Sequence, residues 1–543
     1  MYILQLICGF LLLGVVSSLS RHPKLLLISF DGFRHDLLLE DKVPNIYKWA
    51  SKSTWFTSGV KSQYVTYTAP NHMSIATGLY EEAHGIVGNY FFDSESKKMF
   101  DYFNSTHKEG VINASLAESW YTADPIWLTN ERWESSRESA SFYWPNGECS
   151  FPFIPHKPKI AKAWKTYGTL NTWMKDVDDI IEAFTRNEDP INFAAWYVAE
   201  PDHVLHENGF KNGELEKVLT QLDKLFLYFV DKFKEYKLDS EINVILTADH
   251  GHAQIKDQKH VMCIPDYVSG LGFEMGDHMI YPHSEEIAEE IYKNLTEAIK
   301  AHGFEVNIHR KSEIPERWHY KNSSRIGTII FEPKVGSAIS FTCRKEEMEK
   351  KYGPEGTVKY NSSTHGMDPD APEMRAFLVM RGPAFSENYT IADIPENVDL
   401  YNLMCHVLNI TATPNNGTMD IVKRALKENR YLPLSHGFTF NTITDSMSFM
   451  FILVPSMCIV ILFFAYGCRH TVMKTDPNWG RSDTVQGYRP LDNRTNEGFD
   501  LNEDDDDDLE IGRPARESRN SNQFASGTVT MSGLLDELSD DEL

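Results

Sequence analysis

Three apolar runs stand out along the chain: Leu25-Leu-Leu-Ile-Ser-Phe30, Ile191-Asn-Phe-Ala-Ala-Trp-Tyr-Val198 and Ile242-Asn-Val-Ile-Leu-Thr-Ala248. Each is strand-length with little polar alternation, which predicts strands covered on both faces. Helix-length segments separate them. Glu214 to Tyr236, for example, sets Leu215, Val218, Leu219, Leu222, Leu225 and Phe226 at helical spacing, a stripe that one helix face can bury. Buried strands alternating with amphipathic helices predict an α/β fold, a parallel-sheet core with helices on both faces. A later strand is expected over Ala376-Phe-Leu-Val-Met380.

Two further apolar runs fall outside this alternation. Tyr2 to Val16 is followed by Ser17, Ser18 and Ser20, the small residues of a cleavage site, so residues 1–20 are expected to form a signal peptide. Met447 to Gly467 carries no charge over 21 residues, and a bilayer needs about 20. Arg469, His470 and Lys474 follow it, which places the C-terminal side in the cytosol. The expected order is therefore a signal peptide, an extracellular domain over 21–427 with no internal repeat or linker, a Thr- and Ser-containing stalk over 428–446, a transmembrane helix over 447–467 and a cytoplasmic tail over 468–543. That is a single-pass type I protein of the plasma membrane.

Charge removes one class of function. Lys and Arg number 53 against 78 Asp and Glu, a net charge of −25, and a polyphosphate backbone binder needs the opposite sign. The tail from Arg469 holds −10 of this and includes Asp504 to Asp508, too little apolar surface to fold. Within it Tyr488-Arg-Pro-Leu491 has the form of a signal for an endocytic adaptor. Cys149, Cys263, Cys343 and Cys405 remain for an oxidising compartment once Cys8, Cys458 and Cys468 are assigned to the leader and the membrane segment, and four thiols leave three pairings open. Eight glycosylation sequons precede the span, at Asn104, Asn113, Asn294, Asn322, Asn361, Asn388, Asn409 and Asn416, as expected of an extracellular glycoprotein.

The chemistry gathers where the strands end. Asp31 ends the first run, Asp202 follows the second after Glu200-Pro201, and Asp249 ends the third. Open parallel sheets bind ligands beyond the carboxyl ends of their strands, so the three carboxylates converge on one crevice. Asp202-His-Val-Leu-His206 adds an imidazole one helical turn on, Asp249-His250 adds a second, and His365 a third. Carboxylate with imidazole suits zinc. Six ligands fill two three-ligand sites, and two adjacent metals can clamp both sides of a phosphoryl centre. The nucleophile belongs near a helix N-terminus, where free N–H groups favour an anion. Thr68-Ala-Pro-Asn-His72 offers Thr68 there, with Pro70 in the first turn.

As a set, Ile28-Ser-Phe-Asp-Gly-Phe-Arg34, Thr68-Ala-Pro-Asn-His72, Ala76-Thr-Gly-Leu-Tyr80, His84-Gly-Ile-Val-Gly-Asn89, Asp124-Pro-Ile-Trp127, Glu200-Pro-Asp202 with His206, Asp249-His-Gly251 and His365-Gly366 resemble the ecto-nucleotide pyrophosphatase/phosphodiesterases of the alkaline phosphatase superfamily. The resemblance runs from about Lys24 to Thr418. It implies an alkaline-phosphatase-like fold, one zinc held by Asp202, His206 and His365, another by Asp31, Asp249 and His250, Thr68 bridging them as catalytic nucleophile, and Asn89 binding a phosphoryl oxygen. Pro315-Glu-Arg-Trp-His-Tyr320 and Cys405-His-Val-Leu-Asn-Ile-Thr411 with Pro414-Asn-Asn-Gly417 are most similar to the fourth and fifth family members, which are single-domain type I membrane proteins. Dinucleotides such as diadenosine polyphosphates, or NAD, are the substrates this implies.

Three positions depart from the family pattern. Ala69 stands where the family stacks a Phe on the substrate base, with Phe142, Tyr143 and Trp144 as the remaining candidate wall. His252 replaces a Met. The usual partner of Cys263 is not evident, leaving Cys343 or Cys149. A choline-phospholipid phosphodiesterase is the competing enzymatic reading, and a catalytically inactive adhesion or receptor ectodomain the competing reading of another class. A sulfatase is excluded, since Cys263-Ile-Pro-Asp-Tyr267 lacks the required Arg.

Overall fold

A computed structural model describes residues 19–102, 120–149, 158–163, 167–256, 260–341 and 362–427. The stalk, the expected membrane span, the tail with Tyr488 to Leu491, nearly all of the signal peptide, Cys343 and the sequons at Asn104, Asn113 and Asn361 lie outside them. Among the described residues no helix is long and apolar enough to cross a membrane.

Eight strands form the main sheet: β1 (Lys24–Phe30), β2 (Thr54–Phe56), β3 (Ser139–Phe142), β4 (Ile160–Lys162), β5 (Phe193–Val198), β6 (Ile242–Thr247), β7 (Leu378–Arg381) and β8 (Tyr389–Ile391). Their spatial order is β8-β2-β7-β6-β1-β5-β3-β4. The three apolar runs are β1, β5 and β6, adjacent at the centre and buried along their whole length. β1 pairs in parallel with both neighbours, Phe30 beside Val198 and Ser29 beside Thr247, so the three carboxyl ends stand level.

The sheet is mixed rather than wholly parallel. β7 runs antiparallel to β6 and to β2. The chain enters β7 from His365, which stands at the carboxyl end of the central strands, and a segment entering from that end must run back the other way.

Helix α1 (Thr68–Thr77) packs with helices Ile126–Trp133 and Asp399–Leu408, whereas α3 (Glu214–Glu235) packs with Pro44–Ala50, Leu170–Thr185 and the short α2 (Asp202–Asn208). α3 buries the expected stripe of Leu215, Val218, Leu219, Leu222, Leu225 and Phe226. A second, four-stranded antiparallel sheet of Phe273–Met275, Met279–Pro282, Ile329–Pro333 and Val306–Arg310 has its own small core, in which Ile291 and Leu295 of helix Glu285–His302 join Met262, Ile264, Ile280 and Phe331.

Cys149 and Cys405 are buried and take part in no disulfide. Cys263 is disulfide-bonded to a residue outside the described ones, so Cys149 is not its partner. Asn322, Asn388, Asn409 and Asn416 are exposed and Asn294 is half-buried.

Candidate active site

Strand ends and one short ladder assemble the site. Asp31 follows β1 directly, and its N–H donates to Val198 O at 2.9 Å while Asp202 N–H donates to Asp31 O at 3.1 Å. Gly32 between them has φ +65°, and a Cβ there would lie 2.9 Å from Asp202 Cβ, so only glycine lets the two ligand-bearing turns approach. Asp202 opens α2, which brings His206 Nε2 to 3.5 Å from its Oδ1. Thr364 pairs with Ala253 in a two-residue antiparallel ladder, and this sets His365 beside His252. His365 Nε2 lies 3.5 Å from Asp202 Oδ1 and 3.0 Å from His206 Nε2.

The ligand atoms fall into two groups, each within a 4.8 Å span: Asp202, His206, His252 and His365, and Asp31, Asp249 and His250. The six residues expected from sequence are all present, divided as the resemblance implies, and His252 joins the first group. His250 and His365 rings stack at 3.7 Å, so the groups adjoin.

Hydrogen bonds assign the tautomers. His365 Nδ1 faces Thr66 O at 2.7 Å and His250 Nδ1 faces Gly251 O at 3.1 Å. A carbonyl only accepts, so each Nδ1 carries a proton and each Nε2 faces the site, the orientation of metal-binding imidazoles. The carboxylates are set alike. Tyr197 Oη donates to Asp31 Oδ2 at 2.6 Å and Gly32 N–H to Asp249 Oδ1 at 3.1 Å, while Asp31 Oδ1 and Asp249 Oδ2 are buried without a hydrogen bond. His250 Nε2 is 3.1 Å from Asp249 Oδ2 and 3.7 Å from Asp31 Oδ1, close but not aligned for donation. Buried acceptors facing one another need protons or a metal ion between them, and carboxylate oxygens with imidazole nitrogens are a donor set that fits bound metal.

The electrostatics agree. Burial, then Asp249 and Asp202, push Asp31 well above the carboxylate range, and burial raises Asp202 to about 7. Asp249, which burial would also raise, is held low by His250 and His72. Burial first, and then neighbouring imidazoles, pull His365 and His252 down. Three carboxylates in one crevice cannot all ionise unaided.

Thr68 is the first residue of α1, and its hydroxyl lies 3.5 Å from His250 Nε2. A small cleft is lined by Thr68, Asp31, Asp202, Ala199, Tyr102, Tyr167 and Tyr197. Asn89 is anchored beside the nucleophile, its Oδ1 accepting from Ala69 N–H at 2.8 Å.

The expected aromatic wall lies elsewhere. Phe142 and Trp144 are buried in the core, Trp144 edge-on to His72 at 4.8 Å, and Tyr143 is half-buried with its hydroxyl on Asp176 at 2.9 Å. Ala69 is fully buried as well, so its small side chain leaves no open stacking face. The aromatic ring at the mouth is Tyr167, 45% exposed and stacked on His203 at 3.7 Å. Sequence reasoning missed Tyr167, Tyr197 and His72. It missed Asp277 too, whose carboxylate accepts from Tyr90 N–H at 2.7 Å and from the Asn89 backbone. None sits in a local pattern; only His72, one turn after Thr68, carried a hint.

The type I phosphodiesterase / nucleotide pyrophosphatase family matches residues 25–368, which include Thr68, Asn89 and all six expected ligands. The chain belongs to this family. Among its relatives, the bis(5'-adenosyl)-triphosphatase enpp4 of Xenopus laevis is 31% identical over 450 residues, 82% of this chain and 89% of that protein. The solved structure of murine ectonucleotide pyrophosphatase/phosphodiesterase 5 is 30% identical with a TM-score of 0.64, covering 74% of this chain and all of that one. A threonine-to-alanine variant of the murine protein, described as inactive and in complex with AMP, matches at 29% identity and the same TM-score of 0.64, with the same coverage. This phosphodiesterase chain therefore has the mixed α/β fold of the ectonucleotide phosphodiesterases and hydrolyses phosphodiester or pyrophosphate bonds.

Proposed function

We propose that the chain is a two-zinc ectoenzyme that hydrolyses extracellular nucleotides or dinucleotides through a covalent phosphothreonine on Thr68. The observation that carries this reading is the Thr68 hydroxyl at a helix N-terminus, beside two adjoining groups of carboxylate and imidazole side chains able to hold a metal ion. Asp202, His206 and His365 would hold one ion, and Asp31, Asp249 and His250 the other. Bound there, zinc would lower the pKa of the threonine hydroxyl and neutralise charge on the transferred phosphoryl group.

The chain's own residues supply the rest. Thr68 Oγ1 gives up its proton to water and forms a bond to phosphorus as the bond to the leaving oxygen breaks, and that oxygen takes a proton from water in turn. Water then attacks the phosphothreonine, releasing a nucleoside monophosphate and restoring the hydroxyl. Asn89, its Oδ1 committed to Ala69 N–H, has only its amide N–H groups left to offer a phosphoryl oxygen.

Dinucleotides such as diadenosine polyphosphates, or NAD, are the proposed substrates. The relatives named bis(5'-adenosyl)-triphosphatase and the AMP complex support this choice, and Tyr167 offers a partly exposed ring at the cleft mouth. We place the enzyme at the plasma membrane as a type I glycoprotein, on the uncharged run 447–467 and the sequons. The full chain should be assayed on diadenosine triphosphate, NAD, a nucleoside triphosphate and lysophosphatidylcholine. Turnover of the first two with AMP as product is expected. Turnover of lysophosphatidylcholine alone would move the assignment to a choline-phospholipid phosphodiesterase, and turnover of none would leave an adhesion or receptor ectodomain.

A further inference from the structure

His252 does more than stand behind the ligands. Its ring is fully buried between His206, at 4.7 Å, and His365, at 4.9 Å. Its Nε2 points at Asp202 Oδ1 from 2.6 Å, and its Nδ1 lies 3.1 Å from Ser363 Oγ. The serine decides what this means. Ser363 Oγ has one hydrogen and donates it to Leu205 O at 2.7 Å. Towards His252 it can therefore only accept, and the ring proton belongs on Nδ1. Nε2 is left as a lone pair, 2.6 Å from a carboxylate oxygen, in a place where the ring meets no solvent. Two acceptors approach so closely only with a proton or a metal ion between them, and a metal ion entering the site takes the proton's place.

We infer that His252 is a fourth protein ligand of the cation held by Asp202, His206 and His365, an inference that rests on the two-zinc reading above. Zinc binds imidazole nitrogen and carboxylate oxygen at about 2.0–2.2 Å, so the edges of a tetrahedral ligand set measure roughly 3.3 Å. The separations here are 2.6 Å for His252 to Asp202, 3.5 Å for His206 to Asp202, 3.5 Å for His365 to Asp202 and 3.0 Å for His206 to His365. Three of them lie within about 0.3 Å of that edge, and the shortest, His252 to Asp202, would have to widen by about 0.7 Å as the ion replaces the proton between them. The other group has three ligands, so the two centres are unequal: one is closed by four protein ligands, and the other keeps a coordination position free beside Thr68.

The test is anomalous diffraction at the zinc edge from crystals of the zinc-loaded protein. The expected result is a zinc in each group, with His252 Nε2 within about 2.3 Å of the one at Asp202. Zinc in both groups with Nε2 beyond about 3 Å and still on the Asp202 carboxylate would overturn this inference and leave the two-zinc reading standing. No zinc in either group would overturn both. A chelator competition on the full chain supplies a second readout. His252→Met should raise one of the two zinc dissociation constants by about 100-fold or more, the upper end of what a supporting residue alone would cost, and leave the other within about threefold. Two unchanged constants would overturn the assignment, and if the variant does not fold the diffraction result on the native chain decides alone.

Discussion

Replacing Tyr197 by Phe removes one oxygen and keeps the ring, so it isolates a single bond. Tyr197 is buried on β5, opposite Ser29 of β1, and its hydroxyl donates to Asp31 Oδ2 at 2.6 Å. That bond opposes the burial and the two neighbouring carboxylates that push Asp31 upward. A hydrogen bond to a charged, buried acceptor contributes about 1.5–3 kcal/mol. Its loss therefore pushes Asp31 further up. Zinc needs the ionised carboxylate, so a proton competes more strongly and the zinc at Asp31, Asp249 and His250 should bind roughly 10- to 100-fold more weakly near neutral pH. The assay is chelator competition on zinc-loaded native and Tyr197→Phe chains, repeated across pH. Only one of the two zincs should weaken, and the gap should close as pH rises and Asp31 ionises in both proteins. Equal affinities in a folded variant at pH 6 to 7 would refute the reasoning, because Asp31 would then either not be a ligand or not owe its ionised form to Tyr197.

In metal-free protein Asp202→Asn should gain thermal stability relative to the native chain as pH rises from about 4 towards 7, a comparison in which the depressed histidines His252 and His365, which act the other way in both chains, cancel. The native state keeps protons on Asp31 and Asp202 that the unfolded chain has released, Asp202 moving from an ordinary value of 3.8 to about 7. With zinc bound the native ligands carry no protons, so this dependence on Asp202 should vanish; a metal-free gap between the two chains that does not change with pH in melting scans would contradict the reasoning. Thr68→Ala should keep the fold and both zincs but abolish turnover, since Tyr67 occupies the cap position of α1 without a side-chain cap bond and losing even a full cap would cost only about 1 kcal/mol. Thr68→Ser should keep part of the rate, and a fully active Ala variant in a dinucleotide assay would remove Thr68 from the mechanism. Ala69→Phe should lower unfolding free energy by about 1–3 kcal/mol through overpacking, because Ala69 is enclosed; a denaturant midpoint equal to that of the native chain would show that the site has room for a ring.

What the sequence determined by itself was whatever local pattern and chemical identity carry. Runs of buried strand residues marked β1, β5 and β6, the helical stripe marked α3, and the Asp or His at each strand end marked the ligands, because strand direction alone places those residues at one edge. Tertiary structure decided what depends on contacts between distant segments. The direction of β7 follows from His365 having to stand at the carboxyl edge before the chain enters the sheet. Phe142 and Trp144 looked like a substrate wall because an aromatic cluster reads the same in a core and at a surface, and only the packing of Trp144 on His72 separates the two. The tautomers of His250, His252 and His365 hang on a backbone carbonyl or a serine hydroxyl, and for His252 and His365 that partner lies 111 and 299 residues away in the chain. A hydrogen-bond partner chosen by folding leaves no periodicity in the chain, so no pattern in the sequence could have turned His252 from a substituted methionine into a ligand facing Asp202.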